Sequence, residues 1–185
     1  MSLSLSEGSD GELAALALAG RQDAYRELLA RHRESVFRLV RASVGDPHEA
    51  LDITQETFIA AFSALGRYDH ERPFLAWLKH IALNKCRDWA RRRKVRAFFT
   101  RAMPLEMAFD VSDDAISADV QAVDRAELAR VTAAILRLPS RLREALVLRT
   151  IDGLGQAEAA AVLGVSEKTV ETRLYRARGK LKAML

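Results

Sequence analysis

Apolar side chains recur at three- and four-residue spacing along most of this chain, and nowhere do Val, Ile, Thr and Tyr assemble into alternating runs flanked by hairpin turns. That pattern calls for helices and excludes sheets. Ala, Leu, Arg and Glu, all good helix formers, dominate, while only 4 Pro and 9 Gly interrupt them. With 49% apolar and 29% charged residues the chain carries enough hydrophobic material for packed cores. Its 185 residues suffice for one domain or for two small ones. The expected class is all-α.

Start and stop signals divide the pattern into segments. Residues 10–19 read as a short helix closed by Gly20, and residues 23–44 as a longer one ending at Gly45. Asp46, Pro47 and Glu49 then supply an N-cap, a first-turn proline and the reaching carboxylate of a capping box, opening a third helix that ends before Gly66. In it Leu51, Phe58, Phe62 and Leu65 form the expected core stripe, and Asp52, Gln55 and Glu56 a separate polar face. Taken alone, such a face is either merely wet or a docking surface. A polar loop, residues 66–72, leads to Pro73 and a fourth helix carrying Phe74, Trp77, Leu78, Ile81 and Trp89 before the basic run 91–96. Rings beside cations suit single-stranded nucleic acid, where bases stack and cations track phosphates. Aromatic residues at helical spacing equally suit a core, and Phe74 and Trp77 are expected mostly there.

Periodicity fails over residues 100–119, where acids, Met and Ser accumulate, and resumes from Asp119 to Leu138; Pro139 opens a further helix to about Thr150, and Asp152-Gly153 breaks it. The expected organisation is an N-terminal domain (1–99), a flexible acidic linker (100–118) and a C-terminal domain (119–185). Charge follows the same division. Residues 85–101 hold eight Lys or Arg against Asp88 alone, residues 106–127 seven acids against Arg125 alone, and residues 168–182 six bases against Glu171 alone. Two basic blocks around an acidic one suggest two nucleic-acid contacts joined by a segment that avoids or imitates nucleic acid, although charge runs are also ordinary solvated helix faces.

The C-terminal third carries the sharpest local signal. Residues 156–162 read as a short helix, Leu163-Gly164-Val165 as a tight turn and Ser166 as the N-cap of a last helix reaching Met184. Ala160 is small where two helices would approach, Gly164 accepts positive φ, and Val165, Val170 and Leu174 point inward: the layout of a helix-turn-helix. Lys168, Thr169, Glu171, Thr172, Tyr175 and Arg176 then face outward on a helix that fits a major groove. The rival is an ordinary helical hairpin in a bundle.

Taken together, three stretches resemble the extracytoplasmic-function group of sigma-70 factors. LDITQETF (51–58) resembles their region 2.2, PFLAWLKHIALNKCRDWARRR (73–93) their regions 2.3 and 2.4, and LPSRLREALVLRTIDGLGQAEAAAVLGVSEKTVETRLYRARGKL (138–181) their region 4, with residues 23–44 as region 2.1. Arg-Pro-Phe before the Trp-Leu pair and Gln-Ala-Glu-Ala-Ala-Ala-Val-Leu-Gly in the helix-turn-helix are most similar to the CnrH-like branch, associated with nickel and cobalt resistance, which hints at metal stress.

The resemblance implies a two-domain factor that lends core RNA polymerase its promoter specificity. Asp52, Gln55 and Glu56 would meet the coiled coil of the polymerase β′ subunit. Ala64, Tyr68 and Asn84, with the loop residues Asp69, His70, Glu71 and Arg72, would hold an extruded base of the minus 10 element, with Lys79, His80 and Arg87 on the backbone nearby. Glu171, Thr172, Tyr175 and Arg176 would read the minus 35 element, Lys168 and Thr169 beside them, with Arg173 and Arg178 as phosphate clamps or structural residues. Glu171 stands where other members carry a base; a carboxylate accepts from cytosine but repels phosphate, so it would tune specificity. The resemblance also implies contact with the β flap and control by an anti-sigma factor, often membrane anchored.

No phosphate-binding Gly-rich loop, metal-ligand cluster or nucleophile elbow is present, so neither an enzyme nor a cofactor or metal is expected. Cys86 is the single cysteine, without close His spacing, and reads as a small helix residue. The absence of a long apolar run or a leader pattern predicts a cytoplasmic protein. Two rivals remain at this stage: a stand-alone helix-turn-helix regulator with a sensing first domain, and an RNA-binding adaptor.

Overall fold

The computed structural model describes residues 5–101 and 119–185, with side-chain surroundings for 5–99 and 126–185; residues 102–118, most of the expected linker, lie outside the described residues. The described residues form eight α-helices: α1 (Asp10–Leu18), α2 (Gln22–Val44), α3 (Pro47–Ser63), α4 (Phe74–Arg101), α5 (Asp119–Arg137), α6 (Ser140–Leu146), α7 (Gln156–Leu163) and α8 (Glu167–Lys182). A π-helical turn, Val147–Ile151, prolongs α6. No strand occurs among the described residues, in keeping with the all-α expectation.

Local chemistry explains most boundaries. Ser9 caps α1 by accepting from the Glu12 amide while the Glu12 carboxylate accepts from the Ser9 amide, a reciprocal box. α2 ends where Gly45 turns left-handed at φ 85°. At α3, Asp46 accepts from the amides of His48 and Glu49, but the predicted return bond from Glu49 is not made. The Glu49 carboxylate accepts instead from the Trp89 indole Nε1 at 2.7 Å, tying α3 to α4. α4 runs on to Arg101, past the expected domain end at residue 99.

Helices α1 to α4 form a bundle around Leu28, Val36, Leu39, Leu78 and Leu83, all essentially inaccessible. The buried face of α3 is Ala50, Ile53, Thr54, Thr57, Phe58 and Ala61. Phe58 and Leu65 are in the core as expected, whereas Leu51 is 41% exposed. The true stripe is centred on small residues, so α3 approaches α2 and α4 closely and leaves Leu51 on its flank. Arg31 holds the N-terminal segment by donating to the carbonyls of Leu5, Ser6 and Gly8.

α5 to α8 form the second unit, with a small cluster of Leu138, Leu146 and Ala177 bridged by Leu142, Leu174 and Leu181. The larger core does not stop at the domain boundary. Ala145, Val147, Leu148, Ala159, Val162 and Val170 belong to the same buried cluster as the bundle, because α4 packs on α7 and α2 on the π-helical turn. Two sequence domains are here closed onto one another.

Candidate nucleic-acid interface

In the C-terminal unit, Gly164 is left-handed at φ 63° and Ser166 accepts from the Thr169 amide, which turns α7 sharply into α8. Val170 and Ala177 are fully buried and Leu174 partly so, fixing the rotation of α8. The opposite face then presents Lys168, Glu171, Thr172, Tyr175, Arg176 and Arg178 to solvent, with Thr169 and Arg173 half-buried beside them. Tyr175 is 80% exposed, unusual for so large a ring. Thr172 donates to the Lys168 carbonyl and Thr169 shares a hydrogen bond with Ser166, so these hydroxyls already have local partners. Glu171, Arg176 and Arg178 make no ion pair among the described residues.

The second surface is the outer face of α3. Asp52 and Gln55 are exposed; Glu56 is half-buried and faces Lys85 at 3.5 Å and Arg92 at 4.0 Å across to α4. Exposed apolar side chains flank these polar groups, Leu51 on one side and Ile59, 67% exposed, on the other. Polar groups beside solvent-facing apolar ones are what a protein-docking patch requires.

The loop before α4 is organised by Tyr68, whose hydroxyl donates to the Arg72 carbonyl at 2.6 Å and whose ring packs on Phe74, Trp77 and His70. Tyr68 is buried, and that burial raises its phenol above the ordinary value. Asp69 caps the turn by accepting from the Glu71 amide and pairs with Arg72 at 3.2 Å, leaving residues 69–72 exposed. Ala64 is half-buried at the end of α3.

Along α4, Lys79, His80 and Arg87 face the other unit, while Asn84 is exposed. Lys79 Nζ pairs with Asp152 Oδ2 at 2.5 Å, the two side chains only 3% and 2% exposed. His80 Nδ1 lies 2.8 Å from the Val162 carbonyl. Arg87 donates from Nε and Nη2 to the two carboxylate oxygens of Glu144, both at 2.7 Å, and from Nη1 to Asn84 Oδ1 at 2.7 Å. The Glu144 bonds raise the Arg87 guanidinium further. Arg143, which donates to the Leu136 carbonyl, is instead lowered by desolvation. Burial pushes the Cys86 thiol up to about 12, so it is a packing residue without thiolate character. No cluster able to hold a metal ion occurs among the described residues, and none of their helices is long and apolar enough to cross a membrane.

The Sigma-70 region 2 model matches residues 28–96 and the Sigma-70 region 4 model residues 128–181. The chain is 45% identical over 183 residues to the RNA polymerase sigma factor CnrH of Cupriavidus metallidurans, spanning 97% of this chain and 95% of that one. It is also 33% identical over 180 residues to the ECF RNA polymerase sigma factor SigM of Mycobacterium tuberculosis, spanning 97% and 86%. This chain belongs to the sigma-70 family, in its extracytoplasmic-function group. The sigma factor also resembles the solved structure of CnrH in complex with the cytosolic domain of CnrY, with a TM-score of 0.69 and 40% identity over 95% of this chain and 96% of that one.

Of the residues singled out from the sequence, those on α8 and α3 share continuous exposed faces, whereas Tyr68, Lys79, His80 and Arg87 are turned inward or against the sigma factor's other unit. Sequence reasoning missed Glu144 and Asp152, the partners of Arg87 and Lys79. Glu144 carried a weak signal, a carboxylate directly before Ala145 and Leu146; Asp152, beside Gly153, read only as a helix breaker.

Proposed function

We propose that the sigma factor docks on the polymerase β′ coiled coil through Asp52, Gln55 and Glu56, with Leu51 and Ile59 as the apolar rim. Its region 2 domain, residues 1–99, captures the opened minus 10 strand with Ala64, Tyr68, the loop 69–72, Lys79, His80, Asn84 and Arg87. Its region 4 domain, residues 119–185, reads minus 35 duplex through the outer face of α8 and meets the β flap. The carrying observation is the pair of separate faces: an acid-bearing face on α3, and a basic face on α8 whose rotation is fixed by Val170 and Ala177. A helix held so firmly inward and so basic outward suits a major groove. The acidic linker, residues 100–118, serves as the tether between the domains and suits the polymerase interior.

The protein acts in the cytoplasm, without enzymatic activity of its own. Its regulator is an anti-sigma factor that is membrane anchored; support comes from the relative CnrH, solved in complex with the cytosolic domain of CnrY. The test is reconstitution. Purified chain added to core polymerase should direct initiation from promoters selected with that holoenzyme and compete with a second sigma factor for core. Binding of duplex DNA without either effect would return the chain to the class of stand-alone helix-turn-helix regulators.

A further inference from the structure

A cleft of about 830 Å³ opens where α4 of the first unit meets α5 and α6 of the second. Small-molecule sites span roughly 300–1,000 Å³, so the cleft is of ligand size. Its charged lining is entirely cationic: Arg87, Arg91, Arg93 and Lys94 come from α4, Arg137 from α5 and Arg143 from α6. Glu144 neutralises Arg87, and Asp88 pairs with Arg91 at 3.0 Å. The other four have no acid partner among the described residues. Arg93 lies instead over the Trp89 ring, 5.2 Å from its centroid, and Arg143 donates to the Leu136 carbonyl.

Like charges gathered by packing repel one another until an anion joins them. Val44, Leu136 and Leu138 give the cleft apolar lining, which weakens screening by water, so a counter-charge bound there gains more than it would on an open surface. Desolvation already lowers the Arg143 guanidinium, a cost that a bound anion offsets.

We propose that this cleft binds the phosphate chain of a small oligophosphate, a linear triphosphate in the simplest case, held by Arg93, Lys94, Arg137 and Arg143. A lone carboxylate answers a single cation, whereas successive phosphates offer charge and acceptor oxygens to several, and guanidinium forks pair with phosphate oxygens bidentately. Nucleic acid suits the cleft less. Single strands stack their bases on open rings. Trp89 is buried with Arg93 over its face, and Phe98 and Phe99 stand outside the lining. For the same reason recognition stops at the phosphates, and a nucleoside triphosphate is equivalent to inorganic tripolyphosphate. Because α4 supplies two of the cations and α5 and α6 the others, the bound chain bridges the units and stabilises the folded protein.

The test is calorimetric titration of the full chain with inorganic tripolyphosphate at low salt. Lys94→Ala with Arg137→Ala removes one exposed cation from each wall, neither of them an assigned promoter or polymerase contact. Arg26→Ala with Arg33→Ala removes the same charge from exposed positions of α2 that do not line the cleft. The cleft pair should weaken tripolyphosphate binding about tenfold or more, while the α2 pair leaves it nearly unchanged. Tripolyphosphate should also raise the Tm of the parent and not that of the cleft pair. Absence of binding, or equal weakening by both pairs, overturns the proposal in favour of diffuse attraction to a basic protein. ATP should match tripolyphosphate; much tighter ATP binding that survives the cleft pair means a base is recognised elsewhere and overturns it too. A short single-stranded oligonucleotide is the last arm. If it displaces tripolyphosphate and loses as much affinity in the cleft pair, the cleft is a nucleic-acid site and the small-ligand assignment fails. Should the cleft pair lose helix content by circular dichroism, Lys94→Gln with Arg137→Gln takes its place with the same expected loss.

Discussion

Two helices of this sigma factor carry the basic side chains assigned to DNA, and the fold treats them oppositely. α8 hides Val170 and Ala177 and turns Lys168, Tyr175, Arg176 and Arg178 to solvent. α4 hides Phe74, Leu78 and Leu83 on one side and then has Lys79, His80 and Arg87 engaged by the other unit. Both helices are amphipathic and cationic, so composition does not distinguish them. What differs is whether an acid from elsewhere in the chain lies opposite. A cation on a helix becomes a free contact or a structural one according to its neighbour in space.

The largest expected disruption of this contrast comes from Val170→Asp. An unpaired carboxylate at that fully buried site should cost about 3–5 kcal/mol and unfold the α7–α8 turn, abolishing minus 35 binding. Chemical denaturation and duplex binding check it; a stable variant that still binds duplex DNA would mean α8 is not fixed by that contact.

Glu144→Ala attacks the closed side of the comparison. Its own carboxylate is buried, but Arg87 remains 38% exposed and partly screened, so a loss of about 2 kcal/mol is expected in thermal or urea unfolding. A loss near zero would mean water already satisfies that guanidinium.

Arg176→Ala probes the open side. Its exposure and lack of an ion pair among the described residues leave folding unaffected, while minus 35 discrimination should fall by about 1–3 kcal/mol if it reads a base. Equal weakening on all sequences would make it a phosphate contact instead. Asp52→Ala with Glu56→Ala should raise the Kd for core polymerase while changing stability by under about 0.5 kcal/mol, because the Glu56 pairs with Lys85 and Arg92 are long and solvated. Unchanged core affinity would remove α3 as the docking face.

The smallest effect concerns pH. The Cys86 thiol is raised from 9.0 to about 12 in the folded chain, so the unfolded thiol ionises first. The unfolded state then holds fewer protons, and stability falls as pH rises from 9 toward 12. Alkylation of the native protein at pH 8 should be negligible and become complete on unfolding; rapid native labelling would show that the seam between the units opens at that point.

Much of the architecture was legible because it is local. Asp46 and Ser166 cap the helices that follow them, Gly45 and Gly164 turn the chain where only positive φ serves, and Val170 sets the face of α8 by its spacing within one helix. These depend on residues within about four positions of one another, so the sequence by itself determined the helices, the helix-turn-helix and the surface it presents. It did not determine that Leu51 stands outside the core, that Tyr68 is enclosed by Phe74 and Trp77, or that Glu49 answers Trp89 in place of its own helix end. Nor could it show that Lys79 and Arg87 meet acids 73 and 57 positions further on. Those pairings follow from how α4 packs against α6, the π-helical turn and α7, and no periodicity within a helix records which helix will face it. Only the tertiary structure decided that one basic helix is open and the other held.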